Sequence, residues 1–516
     1  MVSAPGYLSF VPDGSTTPPL QTTIAILGAG FAGLGMAIRL QQEGIRDFLL
    51  FERANDIGGT WRDNVYPGCA CDVPSHLYSF SFELNPEWSH VFSPQAEIQA
   101  YLQDCTDRHG LRDRIHLGAE VVSATFNEDT GHWQLQLGDG RRVVARFLVN
   151  GVGALKDPRY PNIPGRDSFA GIAMHSARWD TNADLDGKRI AVIGTGASAI
   201  QIVPKLAPQA KQLTVFQRSA PWVNPRNDRA YSAVEKALFR RVPAAMRMHR
   251  WRIYGQLEVR HPLVFTRETA VRRVVEWNLK RHIRKQVGDP QLAERITPDY
   301  PLGCKRILVS DDWYPALARP NVDVDATAIE EITPGGLRLA DGREYEADAL
   351  IFCTGFTVDE PLGTTTITGL GGQSMHEYWN GRPRAYLGIT MAGFPNSFTL
   401  LGPNTGLGHN SVVLMIEAQI EYVLQAIRYV RQRPELEWID VDDSAVERFV
   451  AEIDQRSATS VWQSGCTSWY LSSEGFNTAL WPDSTVRYFQ RTRHFDPGPY
   501  RRRRRDQRSR ADVDAG

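Results

Sequence analysis

The chain has 516 residues, 42% hydrophobic and 23% charged, with 58 Lys and Arg against 59 Asp and Glu. That length holds roughly three domain-sized units with cores of their own, and a formal net charge of −1 gives no global pull toward nucleic acid or an anionic membrane. No apolar run reaches the roughly 18 residues of a spanning helix, so no membrane span is expected. Residues 1–21 carry Pro, Gly, Ser and Thr without a basic start or an apolar stretch. They are expected to be disordered and are not a secretory leader. The six cysteines, at 69, 71, 105, 304, 353 and 466, form no CxxC pair and no metal-type spacing. They are expected to be reduced packing residues of a cytoplasmic protein that holds no metal.

Ordered structure is expected from near Thr22. Residues 23–27 (TIAIL) form a short apolar strand, GAGFAG follows at 28–33, a helix runs over 34–43 to Gly44, and a second strand at 47–51 ends on Glu52. Residues 143–153 read as another strand and 154–165 as a Pro-rich linker. The pattern then recurs: strand 189–193 (RIAVI), GTGASA at 194–199, a helix to about 206, and strand 213–217 ending on Arg218. Residues 231–287 are helical in pattern and rich in Arg and aromatics. Strand signals return at 322–324 and 349–353. An amphipathic helix is expected over 413–431, with an apolar stripe at Ile416, Ile420, Val423, Leu424 and Ile427. The arginine run 501–505, followed by Arg508 and Arg510, reads as a solvated tail. The fold class is therefore α/β: two dinucleotide-binding (Rossmann-like) domains with an inserted helical subdomain. The expected division is a first domain at 22–153 and 385–498, a second at 154–222 and 302–384, a helical insertion at 223–301, and a basic disordered tail at 499–516.

Each glycine of GxGxxG has a mechanical task. Gly28 permits the tight turn, Gly30 admits a pyrophosphate close to the backbone, and Gly33, after Ala32, lets helix pack on strand. The helix N-terminus adds free N–H groups and partial positive charge. Glu52 stands 24 residues after Gly28, near the ~20 expected of a ribose-binding acid. The second turn, Gly194 to Ala199, reads GxGxxA, and its following strand ends in Arg218. An arginine there pairs with a 2′-phosphate that a carboxylate would repel. The first unit thus suits FAD or NAD and the second NADPH. Two such units suggest a flavin and a nicotinamide between which hydride passes.

Further stretches carry a resemblance. They are Gly58-Gly59-Thr60-Trp61, Tyr66-Pro67-Gly68 with Cys71-Asp72, residues 169–180 in the pattern FxGxxxHxxxW(P/D), and Cys353-Thr354-Gly355-Phe356. With the two glycine turns, these resemble the Baeyer–Villiger monooxygenases, single-chain FAD- and NADPH-dependent flavoproteins, over about residues 23–495. Cys353 departs from the alanine common in that family. The resemblance implies that Arg306 is the active-site arginine, holding a flavin C4a-peroxide as an anion, and that Asp72 positions it. It implies that Thr60, Trp61, Asp72, Tyr78 and Val121 lie along the flavin. Thr195 to Gln201, with Gly196, Ala197 and Ser198 among them, would line the NADPH pyrophosphate, and Arg218, Ser219 and Lys305 would bind the 2′-phosphate. It gives His175 a structural or conformational role. The implied substrates are O2 and a small ketone, and the product an ester or lactone.

Three rivals stay open from the residues. Oxygenation of sulfur or nitrogen would need a protonated hydroperoxide. A nucleotide–disulfide reductase shares the two-unit layout but needs a CxxC dithiol. A non-catalytic flavin-binding protein has no need of Arg306. The late cluster Trp469, Tyr470, Asn477 and Trp481 suits a substrate wall and core packing equally.

Overall fold

The computed structural model describes residues 18–266, 269–358, 363, 365–466, 468–472 and 474–505. The expectations for residues 1–17 and for the end of the arginine tail, including Arg508 and Arg510, lie outside these. Ile24, Ala25 and Ile26 are fully buried. A strand covered on both faces reads as a continuous apolar run, not as an alternation. That strand, Leu20–Leu27, lies parallel to both its neighbours, Phe48–Phe51 and Arg142–Asn150. It sits inside an eight-stranded sheet that also holds Val121–Asn127, His132–Leu137, Ile115–His116, Ser397–Thr399 and Thr366–Thr368. The helix Phe31–Gln42 follows the first glycine turn and packs against Val412–Arg431. The stripe expected on that second helix is the face it buries.

A second sheet has five strands in the order Val322–Asp325, Gln212–Phe216, Arg189–Ile193, Ala349–Phe352 and Ile172–His175. All four pairings are parallel. Ile332, Leu337 and Leu339 of an antiparallel three-stranded sheet share a core with its Ala191, Phe216 and Phe352. The two dinucleotide units expected from the glycine turns are therefore present, each around its own sheet.

The helical insertion holds Ala233–Arg241, Pro243–Glu258, Ala270–Val287 and Pro290–Arg295. Its two ends are zipped together where Val223–Asn224 pairs with Leu308–Val309. One face is pinned to the first unit by charged groups. Arg250 donates to the carbonyls of His76 (2.7 Å) and Ser79 (3.0 Å). Glu258 accepts from the Thr485 amide and hydroxyl (2.7 and 2.8 Å) and from Asn410 (2.8 Å).

The structure corrects four expectations. Strand pairing starts at Leu20, so residues 20 and 21 belong to the first sheet. Thr366–Thr368 pairs with Val121–Asn127, so the chain has returned to the first sheet before residue 366 and not at 385. The arginine run is a strand: Tyr500–Arg504 pairs antiparallel with Leu436–Val441. There Arg501 is ion-paired with the buried Asp440, and Arg503 Nε lies 3.6 Å from Glu437. Counter-charges turn what reads as a solvated run into a sheet edge. Finally, Cys304 and Cys466 are joined by a disulfide, while Cys69, Cys71, Cys105 and Cys353 are free and buried. No local spacing could reveal a bond between residues 162 apart.

Closing a loop of that length removes unfolded-state entropy equivalent to about 5 kcal/mol at most, and native disulfides give about 2–5 kcal/mol. Cys466→Ser is expected to lower the denaturant midpoint in urea, and an excess of dithiol should lower the wild type to the same value. Unchanged midpoints in both would show that the bond contributes nothing.

Candidate active site

At the first glycine turn Gly28 has φ +89°, and a Cβ there would lie 2.9 Å from the Gly151 carbonyl oxygen. A Cβ on Gly33 would overlap the Gly28 carbonyl. These two glycines serve the fold, whereas Gly30 has no neighbour within 3.7 Å of where its Cβ would be and leaves the backbone open to a ligand. The helix that begins at Phe31 has no side-chain cap, so its first N–H groups are available to an anion. Glu52 is buried and accepts from the amides of Ala29 (2.8 Å) and Ala54 (3.0 Å), and Arg62 lies 3.0 Å from it. Around this turn lies a cavity of ≈ 200 Å³. Of the residues expected along a flavin, Gly28, Gly30, Ala32, Glu52, Thr60, Trp61, Tyr78 and Val121 line it. Gly33 and Asp72 do not. Trp61 Nε1 donates to the Tyr78 hydroxyl at 3.3 Å, and the two rings meet edge to face. A cleft lined by a buried acid, an open helix terminus and aromatic side chains fits a dinucleotide with a large planar ring.

Arg306 donates from Nε (2.9 Å) and Nη2 (2.5 Å) to one oxygen of Asp72, 234 residues away in sequence. The Asp72 carboxylate is the main reason that the guanidinium is held charged well above the ordinary arginine range. Both groups act electrostatically on Tyr78 at the edge of the cavity and on the fully buried Tyr470, whose phenol burial pushes up to about 12. The Asp72 loop is tied down on both sides. Cys71 N–H donates to Ser93 O (3.0 Å), and Cys71 O accepts from Arg226 (3.1 Å).

At the second turn Gly194 has φ +108°, and a Cβ there would lie 2.5 Å from the Cys353 carbonyl oxygen. The approach is made by the Cys353 backbone, so the departure from alanine at that position leaves the turn intact. Gly196 and Ala197 are exposed, and Ser198 precedes the helix Ala199–Leu206 without capping it. Thr195 Oγ1 donates to Ser219 O (3.0 Å), and Lys305 Nζ donates to Ser219 Oγ (2.8 Å). Burial and then Arg218 lower the Lys305 ammonium. Lys305 on the Ser219 hydroxyl and a second cation, Arg218, acting on it suit an anion, and a phosphate monoester has the charge and the acceptor oxygens.

The sequence profile of the flavin-binding monooxygenase-like family matches residues 21–383. The chain belongs to that family. Curated relatives include a Baeyer–Villiger monooxygenase of Pseudomonas aeruginosa, 47% identical over 92% of this chain and 90% of that protein. Another, from Streptomyces coelicolor, is 46% identical over 92% of both. Similar solved structures include an oxidized steroid monooxygenase bound to NADP (32% identical, TM-score 0.82, covering 92% of this chain and 97% of that one). OTEMO in complex with FAD and NADP is 27% identical with TM-score 0.85, over 94% and 100% of the two chains.

Against this family background, the residue-level outcomes are mixed. His175, expected on a linker, ends the edge strand of the second sheet, fully buried against Tyr160 and Phe356. Its Nδ1 accepts from the Ala177 amide at 3.0 Å, which supports the structural role. The late aromatics divide. Trp481 packs on Phe449 and Tyr488 in the main core, whereas Tyr470 shares a cluster with Cys304, two residues from Arg306. Gln201, expected along the NADPH pyrophosphate, makes a contact between the units that was not foreseen. It donates to Ala70 O (2.9 Å) and accepts from Tyr66 OH (3.0 Å). A Cβ on Gly68 would lie 2.7 Å from Gln201 O. The Tyr66-Pro67-Gly68 motif is thus where the first unit meets the helix of the second, and its glycine was the available signal.

Burial lowers His175 and His261 to about 4 and His76 to about 3, from 6.5. Each is neutral in the fold, so the unfolded chain binds protons more readily. Their contribution to stability is full above pH 6.5 and is lost as pH falls toward 4. His175→Gln is expected to flatten the fall of Tm across that window, read by thermal denaturation. The same slope in both proteins would contradict this.

Proposed function

We propose that this chain inserts one oxygen atom from O2 beside the carbonyl of a small ketone, giving an ester or lactone, with FAD as cofactor and NADPH as reductant. The observation that carries the reading is the Arg306–Asp72 pair, whose charges act on Tyr78 in the lining of the dinucleotide cavity. Bound FAD supplies the reaction of its reduced form with O2. Everything else is the task of the chain. The open turn at Gly30 and the bare helix terminus hold a pyrophosphate, Glu52 takes a ribose, and Trp61, Tyr78 and Val121 line the ring. Thr195, Gly196, Ala197 and Ser198 take the second pyrophosphate, and Arg218, Ser219 and Lys305 take the 2′-phosphate. Asp72 holds Arg306 as a fixed cation where negative charge develops when a ketone carbonyl is attacked. Such a preset charge needs no reorganisation during reaction. The sheet around Leu20–Leu27 then serves FAD and the sheet around Arg189–Ile193 serves NADPH. No helix of the described residues is long and apolar enough to cross a membrane, and a cytoplasmic setting would supply the NADPH.

The test is to incubate the yellow protein with NADPH, O2 and a panel of linear, cyclic and aryl ketones plus thioethers, with products identified by mass spectrometry. Esters or lactones are expected, and they should vanish in Arg306→Ala while its flavin spectrum stays. Sulfoxides alone would move the reading to heteroatom oxygenation. Separately, Lys305→Ala and Arg218→Ala should each raise KM for NADPH about tenfold or more, the value of a charge-assisted phosphate contact. KM for NADH should not move. Equal effects on both cofactors would remove the 2′-phosphate assignment.

A further inference from the structure

The helical insertion is pinned on one face, and its other face is unlike the rest of the surface. Sixteen large hydrophobic side chains are exposed among the described residues, and ten of them fall between residues 234 and 277. The helix Pro243–Glu258 buries Met246, Arg250, Ile253 and Leu257 at helical spacing. It turns Met248 (74% exposed) and Trp251 (69%) the other way, beside Arg247 and Arg252. The helix Ala270–Val287 buries Arg272, Leu279 and Ile283. Outward it carries Val271, Val274 (58%) and Trp277 (61%), with Arg281 over the Trp277 ring at 5.9 Å. Single exposed hydrophobics are ordinary, but a concentration of them marks an interaction surface.

Charge says what kind. Residues 231–287 contain fourteen Lys and Arg against four Glu, a net of +10 within a chain of net −1. Among the described residues no ion pair joins Arg247, Arg252, Arg273, Arg281, Arg284 or Lys285 to a carboxylate, and all six are exposed. A second copy docked by the same face would set +10 against +10 in a self-complementary interface, where like charges oppose. A nucleic acid would use the cations and stack on the tryptophans, but it leaves Met248, Val259, Val271 and Val274 without an apolar partner. Exposed tryptophans flanked by arginines and by exposed Met and Val side chains on two helices match the boundary between headgroups and acyl chains.

We propose that the outer face of the helical insertion docks on an anionic lipid bilayer. The binding is peripheral: the helices lie on the surface, their apolar side chains enter the headgroup boundary, and the arginines pair with lipid phosphates. The cavity around the first glycine turn and the residues of the second turn lie outside the insertion, so docking leaves the enzyme loaded and intact.

The test uses the full FAD-loaded chain, sedimented with phosphatidylcholine vesicles with and without phosphatidylglycerol. The wild type should bind the phosphatidylglycerol vesicles, blue-shift its tryptophan emission, and release at high salt. The double variant Trp251→Ser/Trp277→Ser and the triple variant Arg273→Glu/Arg281→Glu/Arg284→Glu should each lose at least about tenfold in bound fraction, with NADPH oxidation unchanged. The proposal is overturned if the wild type ignores both vesicles or if either variant binds as well as wild type. It is equally overturned if ultracentrifugation shows a dimer that the tryptophan variant dissolves, or if the surface binds only an acidic protein.

Discussion

One ion pair holds the account together. Asp72 comes from a loop beside the first sheet, and Arg306 from the segment that leaves the helical insertion. Neither glycine unit contains both, so the pair exists only when the two dinucleotide units and the insertion are assembled. Breaking a half-buried pair by removing one partner leaves an uncompensated charge, and the surrounding structure is arranged to keep both in place. Arg226 and Ser93 fix the Asp72 loop, Cys304–Cys466 ties the Arg306 segment to the stretch that carries Tyr470, and Gln201 locks the second unit's helix to Ala70. These restraints hold the Arg306 segment and the Asp72 loop against each other.

What was legible in the sequence follows from the range over which each constraint acts. The glycine turns, their strands and Glu52 act within about thirty residues, and all stand where reading along the chain put them. Lys305 and Arg306, far from both turns, were reached only through the resemblance, because an arginine at the end of an insertion carries no local mark. The arginine run at 501–504 failed for the opposite reason. Its local pattern suggests solvent, and only the buried Asp440, some sixty residues earlier, makes it a strand. The early return of Thr366–Thr368 to the first sheet likewise rests on backbone pairing with residues 123–125, which no periodicity announces.

The chemistry and the surface divide the chain differently from its sheets. The two units provide shape and fixed charge for cofactors around apolar cores. The insertion instead supplies one inward face of specific contacts, Arg250 and Glu258, and one outward face of net positive charge and apolar side chains. A near-zero global charge conceals this asymmetry, since the rest of the chain carries the compensating acids. A relatively apolar ketone partitions toward a lipid surface, which would make such a face useful to the proposed reaction without entering its mechanism.

The central claim is that Asp72 acts only through Arg306. It is tested most directly by a double-mutant cycle on the rate of ketone oxygenation, with Asp72→Asn, Arg306→Ala and the double variant compared as flavin-loaded proteins. The account requires strong non-additivity, with the double variant no slower than Arg306→Ala alone. Additive losses would mean that Asp72 contacts the reaction independently, and the positioning role assigned to it would be wrong.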